Sequence, residues 1–579
     1  MGRRAEPGRR LGIALLAIAF VLTLFAGRLV QIQGMQAAYY RSKAASEKLV
    51  TQTLPAMRGT IYGADGQILA MTVETYLVWA DPPQIPAASK AKVAQQLAGP
   101  LKMPAQQVLH LLLHPTSHQY VVLEKNVAAA PGNQISALNI TGVYETPSYA
   151  RAYPDGPATA NVVGFTNVNN QTGAISGQAG IELADNKLLS GTAGSEQMMT
   201  GANGQPIPLA GSKVTPAQDG TGIRLTIIPA LQLEAEQACE QRVRQMHAKQ
   251  CTIVIIAPKT GYILAMAQWP TWSQADVTDP TDLPLQDVFE PGSTAKVITA
   301  AAALEKGGQT PMSAYYIPSV IYRGGQSITD SEPDGGSHYT IAGIIANSSN
   351  VGMSEVVAHV PPQVQYDYLR AFGLGAMTGL NMPGESQGIL PPPSQWAGDE
   401  RYTLSFGQGV AVTAVQMASV YATIANNGVR VQPTLVEGTV NSDGGFTRAA
   451  PPPSRRVIQA KTAHELISIL QQVPAVDEEA DQPWGIIPGY AVAAKTGTSQ
   501  ENGPGCALCE YGSSYIGMAP GNDPQVVVAV NVQDPDQKYG YFGDVVAGPV
   551  FNQVMLFALQ TLQIPPDGAV APYVRLNAP

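Results

Sequence analysis

The stretch FEPGSTAKVITAAAAL, residues 289–304, sets the reading of everything around it. A turn at Pro291-Gly292 leads into an apolar helix, with Ser293 at its start and Lys296 one helical turn on. Residues at i and i+3 share a helix face, so the Lys296 amine can reach the Ser293 hydroxyl. Ala, Val and Ile crowd the same helix and bury that face. Burial disfavours a charged ammonium and lowers its pKa, which leaves a neutral amine able to take a hydroxyl proton. The pair therefore predicts Ser293 as a nucleophile and Lys296 as its base. Alone it is weak, because an N-capping serine followed by a surface lysine is spelled the same way.

Two further elements lie downstream. Ser348-Ser349-Asn350 follows the apolar run IAGIIAN. A hydroxyl at Ser348 can relay a proton between Lys296 and a leaving group, and the Asn350 amide can hold a substrate amide. Lys495-Thr496-Gly497-Thr498 closes the strand-like run YAVAAKTG, residues 490–497. A glycine in a strand marks close approach of another backbone. A strand edge binds an extended peptide through main-chain hydrogen bonds, and a lysine with threonine hydroxyls beside it secures a carboxylate. Lys259-Thr260-Gly261 repeats the triplet between two other strand-like runs, with no hydroxyl after it, and is read as a turn.

Working outward, residues 224–248 open as a strand and become an amphipathic helix, with Leu231, Ala235, Ala238 and Cys239 on one face. Strands CTIVIIAP (251–258) and YILAMAQ (262–268) follow, then a helical, loop-rich stretch over 285–430. Three more strands, YAVAAKTG (490–497), SSYIGMA (513–519) and QVVVAVNV (525–532), precede a helix at about 547–562. This order predicts an α+β domain with an antiparallel sheet between helices. Residues 51–220 show short alternating stretches and many Gly and Pro turns, which reads as a non-catalytic module. The segment 201–222 reads as a polar linker.

The start of the chain predicts the compartment. Arg3, Arg4, Arg9 and Arg10 face one acid, Glu6, and no charge interrupts Leu11 to Gly27. Leu29, Val30 and Ile32 extend the apolar run past Arg28, which can snorkel. A transmembrane anchor is expected at 11–33, near the span of about 20 residues that a bilayer needs. The basic flank puts residues 1–10 in the cytoplasm and the rest outside, a single-pass protein of the plasma membrane. A cleaved signal peptide is the rival reading, but the run is long for one and no small-x-small site follows directly. The formal charge of -9 argues against nucleic acid as a partner. The acids Asp477, Glu478, Glu479 and Asp481 read as a solvated loop. Cys239, Cys251, Cys506 and Cys509 all fall in the outer portion, where disulfides persist. The local pairs Cys239–Cys251 and Cys506–Cys509 are the simplest of the three connectivities. For Cys506 and Cys509, two free thiols stay open beside a disulfide; redox chemistry needs a thioredoxin-like context and zinc needs two further ligands.

Ser-x-x-Lys, Ser-x-Asn and Lys-Thr-Gly occur here in that order, on a helix, a loop and a strand. With them stand RGTIYGADGQILA (58–70), RAYPDGPATANVVGF (151–165), GIELADNKLLSGTAG (180–194), FGQGVAVTAVQMASVYATIANNG (406–428) and YFGDVVAGPVF (541–551). From the anchor to about residue 560 the chain resembles the class B penicillin-binding proteins, the monofunctional peptidoglycan D,D-transpeptidases. The resemblance implies a juxtamembrane helix and an elongated mixed α/β pedestal (dimerisation-like) over 34–220. It implies a serine beta-lactamase-like transpeptidase domain with a five-stranded antiparallel sheet over 221–563, and a disordered tail over 564–579. It implies that Ser293 attacks a D-Ala-D-Ala stem peptide and Lys296 is the base. Ser348 and Asn350 then assist, and Lys495, Thr496, Gly497 and Thr498 bind the substrate carboxylate. The backbone N–H groups of Ser293 and Thr498 form the oxyanion hole. No cofactor and no metal is implied. Implied partners are stem peptides, beta-lactams, a polytopic glycosyltransferase and regulators of division. Length and pedestal favour a septal role. An elongation-type enzyme, a non-catalytic penicillin-binding scaffold or sensor, and a hydrolase using Glu385 as deacylating base are the alternatives. Ala494, where the family often has Gly, and the cysteine pair in the loop 499–512 depart from the usual pattern.

Overall fold

Strands that are apolar at nearly every position need cover on both faces. In the computed structural model, which describes residues 7–40, 49–115, 117–169, 174–200, 206–207, 213–331, 335–503, 505–568 and 570–578, such strands build a central sheet. Its elements in chain order begin with α1 (Pro229–Met246), β1 (Gln250–Ala257) and β2 (Tyr262–Trp269). The helical insert contributes α2 (Lys296–Lys306), α3 (Ile341–Ala346), α4 (Asn350–Ala358) and α5 (Ala414–Ala425). Then come β3 (Ala493–Gly503), β4 (Cys506–Ala519), β5 (Val526–Gln533) and α6 (Gly548–Thr561). The five strands are antiparallel in the order β2-β1-β5-β4-β3, which leaves β3 at an edge.

Side chains alternate across a strand, and here the alternation divides two cores. Val254 and Ile256 of β1 join Val297 of α2 and Met417 of α5, while Ile253 and Ile255 join Leu231 of α1 and Phe551 of α6. The predicted helix–sheet–helix arrangement is present, and Lys259-Thr260-Gly261 is the turn between β1 and β2. The expected loop at 499–512 is instead a hairpin. Pairing continues from Ser499 opposite Gly512 to Gly503 opposite Cys506, because the ladder of β3 and β4 runs on past the sheet. Cys506 and Cys509 are joined near its tip, and Cys239 of α1 is joined to Cys251 of β1.

Packing does not break at the expected boundary near residue 220. The strand Gly222–Leu225 pairs in parallel with Ile61–Tyr62 and antiparallel with Val436–Val440. Main-chain hydrogen bonds thus carry one sheet across that boundary, and Met57–Ser190 with Gly220–Pro579 forms one compact unit. The other unit comprises Met1–Ala56 and Gly191–Asp219. Within it, Arg10–Met35 is a helix long and apolar enough to cross a membrane. Leu49–Leu54 pairs with Gly194–Thr200. Of the juxtamembrane helix expected beyond residue 34, Ala37–Tyr40 is helical, 41–48 lies outside the described residues, and Leu49-Val50 is strand. The basic flank at Arg3 and Arg4, with Glu6, also lies outside them, as do 201–205 and 208–212 of the linker.

The tail is not disordered where it is described, contrary to the expectation. Thr340 N–H donates to Leu576 O at 2.9 Å, and Ala578 N–H donates to His338 O at 2.9 Å. The Pro- and Ala-rich tail is ordered because the backbone of Ser337–Thr340 offers it a hydrogen-bonding edge. Val574 and Leu576 also pack on the core.

Buried charge joins three separate segments of the N-terminal module. The Glu182 carboxylate, fully buried, accepts from Arg58 Nε at 2.5 Å and Arg151 Nε at 2.7 Å. Arg58 also donates to Asn186 Oδ1 and Ser190 Oγ, each at 2.8 Å. Burial pulls the Arg58 pKa down, against the pull of Glu182. Removing one partner of a buried set strands the others. Glu182→Ala is therefore expected to cost roughly 3–5 kcal/mol in urea denaturation. Glu240→Ala, which breaks the exposed pair with Arg244, is expected to cost less than about 1 kcal/mol.

Candidate active site

Gly292–Ala295 forms a tight 3-10 turn that runs into α2. Side chains at i and i+3 eclipse in such a turn, so Ser293 and Lys296 leave it on one side. The turn is wedged against β3. Gly292 has φ +53, and a Cβ there would lie 2.7 Å from Thr498 O. A Cβ on Gly497 would lie 2.8 Å from Thr294 Cγ2, so glycine permits the close approach that its place in the strand predicted. Tyr421 of α5, fully buried, donates its hydroxyl to Thr294 O at 2.9 Å and holds the turn from behind.

Two lysines with no solvent exposure, Lys296 and Lys495, converge on Ser348. Lys495 Nζ lies 3.0 Å from Ser348 Oγ, and Lys296 Nζ lies 3.4 Å from the same oxygen. Lys296 also donates to Ser348 O. Lys495 also donates to Thr496 O at 3.1 Å and Thr496 Oγ1 at 3.2 Å. Ser348 has φ +56, a left-handed conformation that costs a non-glycine residue about 1–3 kcal/mol. That strain sets its hydroxyl between the two amines. The Ser293 hydroxyl makes no hydrogen bond among the described residues, so the direct contact with Lys296 foreseen from spacing is not formed. The Lys296 amine is turned onto Ser348 instead. Catalytic contacts of this kind often tighten only when substrate arrives.

Burial drives the Lys296 pKa well below the ordinary lysine value; nearby Lys495 lowers it further and Asp330 opposes. Burial also lowers Lys495, to about 8, while Asp477 and Asp544 pull it up. One amine is thus driven toward neutrality beside another that keeps more of its charge. The arrangement offers a base, a shared hydroxyl and a cation in one place.

The remaining predicted residues are distributed around this centre. Thr498 Oγ1, on the edge strand β3, accepts from Gly543 N–H at 3.1 Å. Asn350 Nδ2 lies 3.5 Å from Thr329 O, a weak tether for its amide. Glu385 is not free for chemistry, since it accepts from Thr378 N–H at 2.6 Å and from the Thr378 hydroxyl.

Two carboxylates escaped sequence reasoning. Asp330 accepts from Ser349 Oγ at 2.7 Å, from Val351 N–H at 2.9 Å and from Asn350 N–H. It caps the start of α4 from a distant loop, and no local spacing announces it. Asp477 reads in sequence as one of a run of solvated acids, but it is 9% exposed and accepts from Tyr515 OH at 3.0 Å. The reason is helical: Val473–Glu479 is a helix whose buried side carries Val473, Pro474 and Asp477. The one-turn separation of Val473 and Asp477 was the available signal.

Comparison with known proteins finds matches over both parts of the chain. The family described as "Penicillin binding protein transpeptidase domain" matches residues 251–556, and "Penicillin-binding Protein dimerisation domain" matches 53–225. Penicillin-binding protein PbpB of Mycolicibacterium smegmatis is 31% identical over 601 residues, covering 97% of this chain and 92% of that protein. Peptidoglycan D,D-transpeptidase FtsI of Escherichia coli is 30% identical over 567 residues, covering 96% and 92%. The crystal structure of penicillin binding protein 3 from Mycobacterium tuberculosis, complexed with aztreonam, superposes with a TM-score of 0.70 at 28% identity. It covers 91% of this chain and 100% of that one.

Asp330 holds the Ser348–Asn350 loop by charge-assisted hydrogen bonds, each worth about 1.5–3 kcal/mol. Asp330→Ala is expected to slow acylation by penicillin at least about tenfold, a rise of about 1.4 kcal/mol in the barrier. Stopped-flow acylation kinetics, with thermal melting to show a folded variant, measures it. An unchanged acylation rate would show that the loop needs no such anchor.

Proposed function

The chain belongs to the penicillin-binding protein family of peptidoglycan D,D-transpeptidases, which are serine acyltransferases, and on that premise we propose how its site works. The observation that carries the proposal is the convergence of two buried lysines on the Ser348 hydroxyl. Ser293 Oγ attacks the carbonyl of the penultimate D-Ala of a donor stem peptide, and neutral Lys296 takes the hydroxyl proton. The developing oxyanion is held by the backbone N–H groups of Ser293 and Thr498. Ser348 relays a proton from Lys296 to the leaving amine, so the terminal D-Ala departs and an acyl-enzyme remains on Ser293. Lys495, Thr496 and Thr498 bind the donor's terminal carboxylate beside Gly497, where the backbone must approach closely. Asn350 orients the substrate amide. An acceptor amine then attacks the acyl-enzyme, the cross-link forms, and the proton returns to the Ser293 oxygen.

Beta-lactams present a strained amide and a carboxylate in the donor's place and acylate Ser293. We place the enzyme in the plasma membrane, with residues 1–10 in the cytoplasm and the catalytic half outside. Its setting is septal wall synthesis, beside a polytopic glycosyltransferase and division regulators that meet the anchor and N-terminal module. The reading rests on the apolar helix Arg10–Met35 and on likeness to full-length relatives. Mid-cell localisation of a tagged protein supports the septal setting; side-wall labelling would move it to elongation.

Wild type is expected to form a stable adduct with fluorescent penicillin, and Ser293→Ala to form none. A labelled Ser293→Ala variant would overturn the assignment, and rapid release of hydrolysed penicillin would indicate a hydrolase. A pH profile tests the base. Lys296 acts in its neutral form, so acylation falls as pH drops through its lowered pKa. Lys495→Ala removes a neighbouring positive charge that holds that pKa down. The acid limb of the profile is therefore expected to move to higher pH in Lys495→Ala.

A further inference from the structure

Away from the Ser293 site, a cavity of about 320 Å³ opens where the N-terminal module meets the catalytic half. Asn161, Gln178 and Gly180 line it from one side, and Asp279, Asp282 and Gln286 from the other. Its volume is at the small end of ligand pockets, about 300–1,000 Å³, enough for one sugar or one side chain. Asp282 is only 5% exposed. One of its carboxylate oxygens accepts from Asn161 Nδ2 at 3.3 Å, a donor shared with Met266 O. The other oxygen has no partner among the described residues and is not shut off from the cavity's solvent. A nearly buried carboxylate with one oxygen left facing a cavity can take a donor from a bound molecule.

The rest of the lining is polar. Gln178, exposed at the rim, commits its amide nitrogen to Ser176 and Gly177 and leaves its carbonyl oxygen to solvent. Gln286 Oε1 accepts from Asp282 N–H at 3.3 Å, with Nε2 3.4 Å from Pro383 O. No Lys, Arg or His lines the cavity, whereas two carboxylates do. Among the described residues no group of three or more His, Cys, Asp and Glu is gathered there to hold a metal. Burial pushes the Asp282 carboxyl up to about 7, with the Asn161 amide drawing it down.

We propose that this cavity binds a small organic cation, a primary ammonium group on a polar carrier, with Asp282 as its counter-ion. The ammonium donates to the free Asp282 oxygen and to neighbouring amide and carboxylate oxygens. A bound ligand bridges segments from both halves of the compact unit. The shared chemistry fits two sources, an amino sugar or the amine-bearing side chain of a peptide.

The test uses the full-length chain in detergent at pH 8, by calorimetry. The probes are glucosamine and Nα-acetyl-lysine methylamide, each set against its N-acetylated neutral counterpart. At least one amine is expected to bind, with its neutral counterpart at least tenfold weaker, and the amine that binds identifies the source. Asp282→Asn is expected to weaken that binding at least tenfold while leaving fluorescent-penicillin labelling intact. Ala179→Arg, which places a cation from the partly exposed rim of the cavity, is expected to block it as well. Ser293→Ala is expected to bind as wild type does, which separates this site from the acceptor position of the catalytic centre. No binding by either amine, equal binding of the neutral counterparts, or unchanged binding by Asp282→Asn would overturn the proposal.

Discussion

Two buried lysine amines share one serine hydroxyl, and the rest of the site is arranged around that fact. Two like charges each within 3.0–3.4 Å of one oxygen can be no more than about 6.4 Å apart, and at an effective dielectric of about 20 they repel by at least about 2.6 kcal/mol. Burial adds a desolvation penalty for each charge. Such a pair persists only if one amine gives up its proton or carboxylates stand close by. Both are favoured here, unequally. Lys495 has Asp477 and Asp544 to support its charge, whereas Lys296 has Asp330 alone and Lys495 against it. The asymmetry favours charge on Lys495 and neutrality on Lys296, the division of labour that the proposed mechanism uses.

That asymmetry depends on positions held from several parts of the chain. Lys296 is fixed by a helix entered through the Gly292 turn, and Lys495 by a strand whose Gly497 lets the turn come close. Ser348 is held in a strained conformation at the end of α3, and Asp330 grips the residues that follow. The start of α3 is in turn secured by the tail. The Thr340 hydroxyl accepts from Gly343 N–H at 3.1 Å, and it donates to Arg575 O at 2.7 Å. Rigid placement of this kind lets a site act through electrostatics without reorganising at the moment of reaction.

The N-terminal module is tied to the catalytic half by backbone, through the strand Gly222–Leu225, and tied within itself by charge, through Arg58, Glu182 and Arg151. Those three residues fall in separate segments, RGTIYGADGQILA, GIELADNKLLSGTAG and RAYPDGPATANVVGF. What reads in sequence as three unconnected motifs is, in space, one buried carboxylate between two guanidiniums.

The sequence by itself determined the features that depend on neighbours along the chain. Ser293 and Lys296 share a face because a single turn separates them, and the apolar runs of β1, β4 and β5 mark strands covered on both sides. An uncharged run from Leu11 to Gly27 marks a membrane-length helix. Only the tertiary structure decided where charges from distant segments meet. The capping role of Asp330, the support of Lys495 by Asp477, the ordered tail and the sheet that crosses residue 220 all join segments far apart in sequence. Periodicity and motif spacing report which face of an element is apolar. Which carboxylate or which strand edge meets that face depends on how the elements pack, and pKa values and long-range hydrogen bonds follow from that packing.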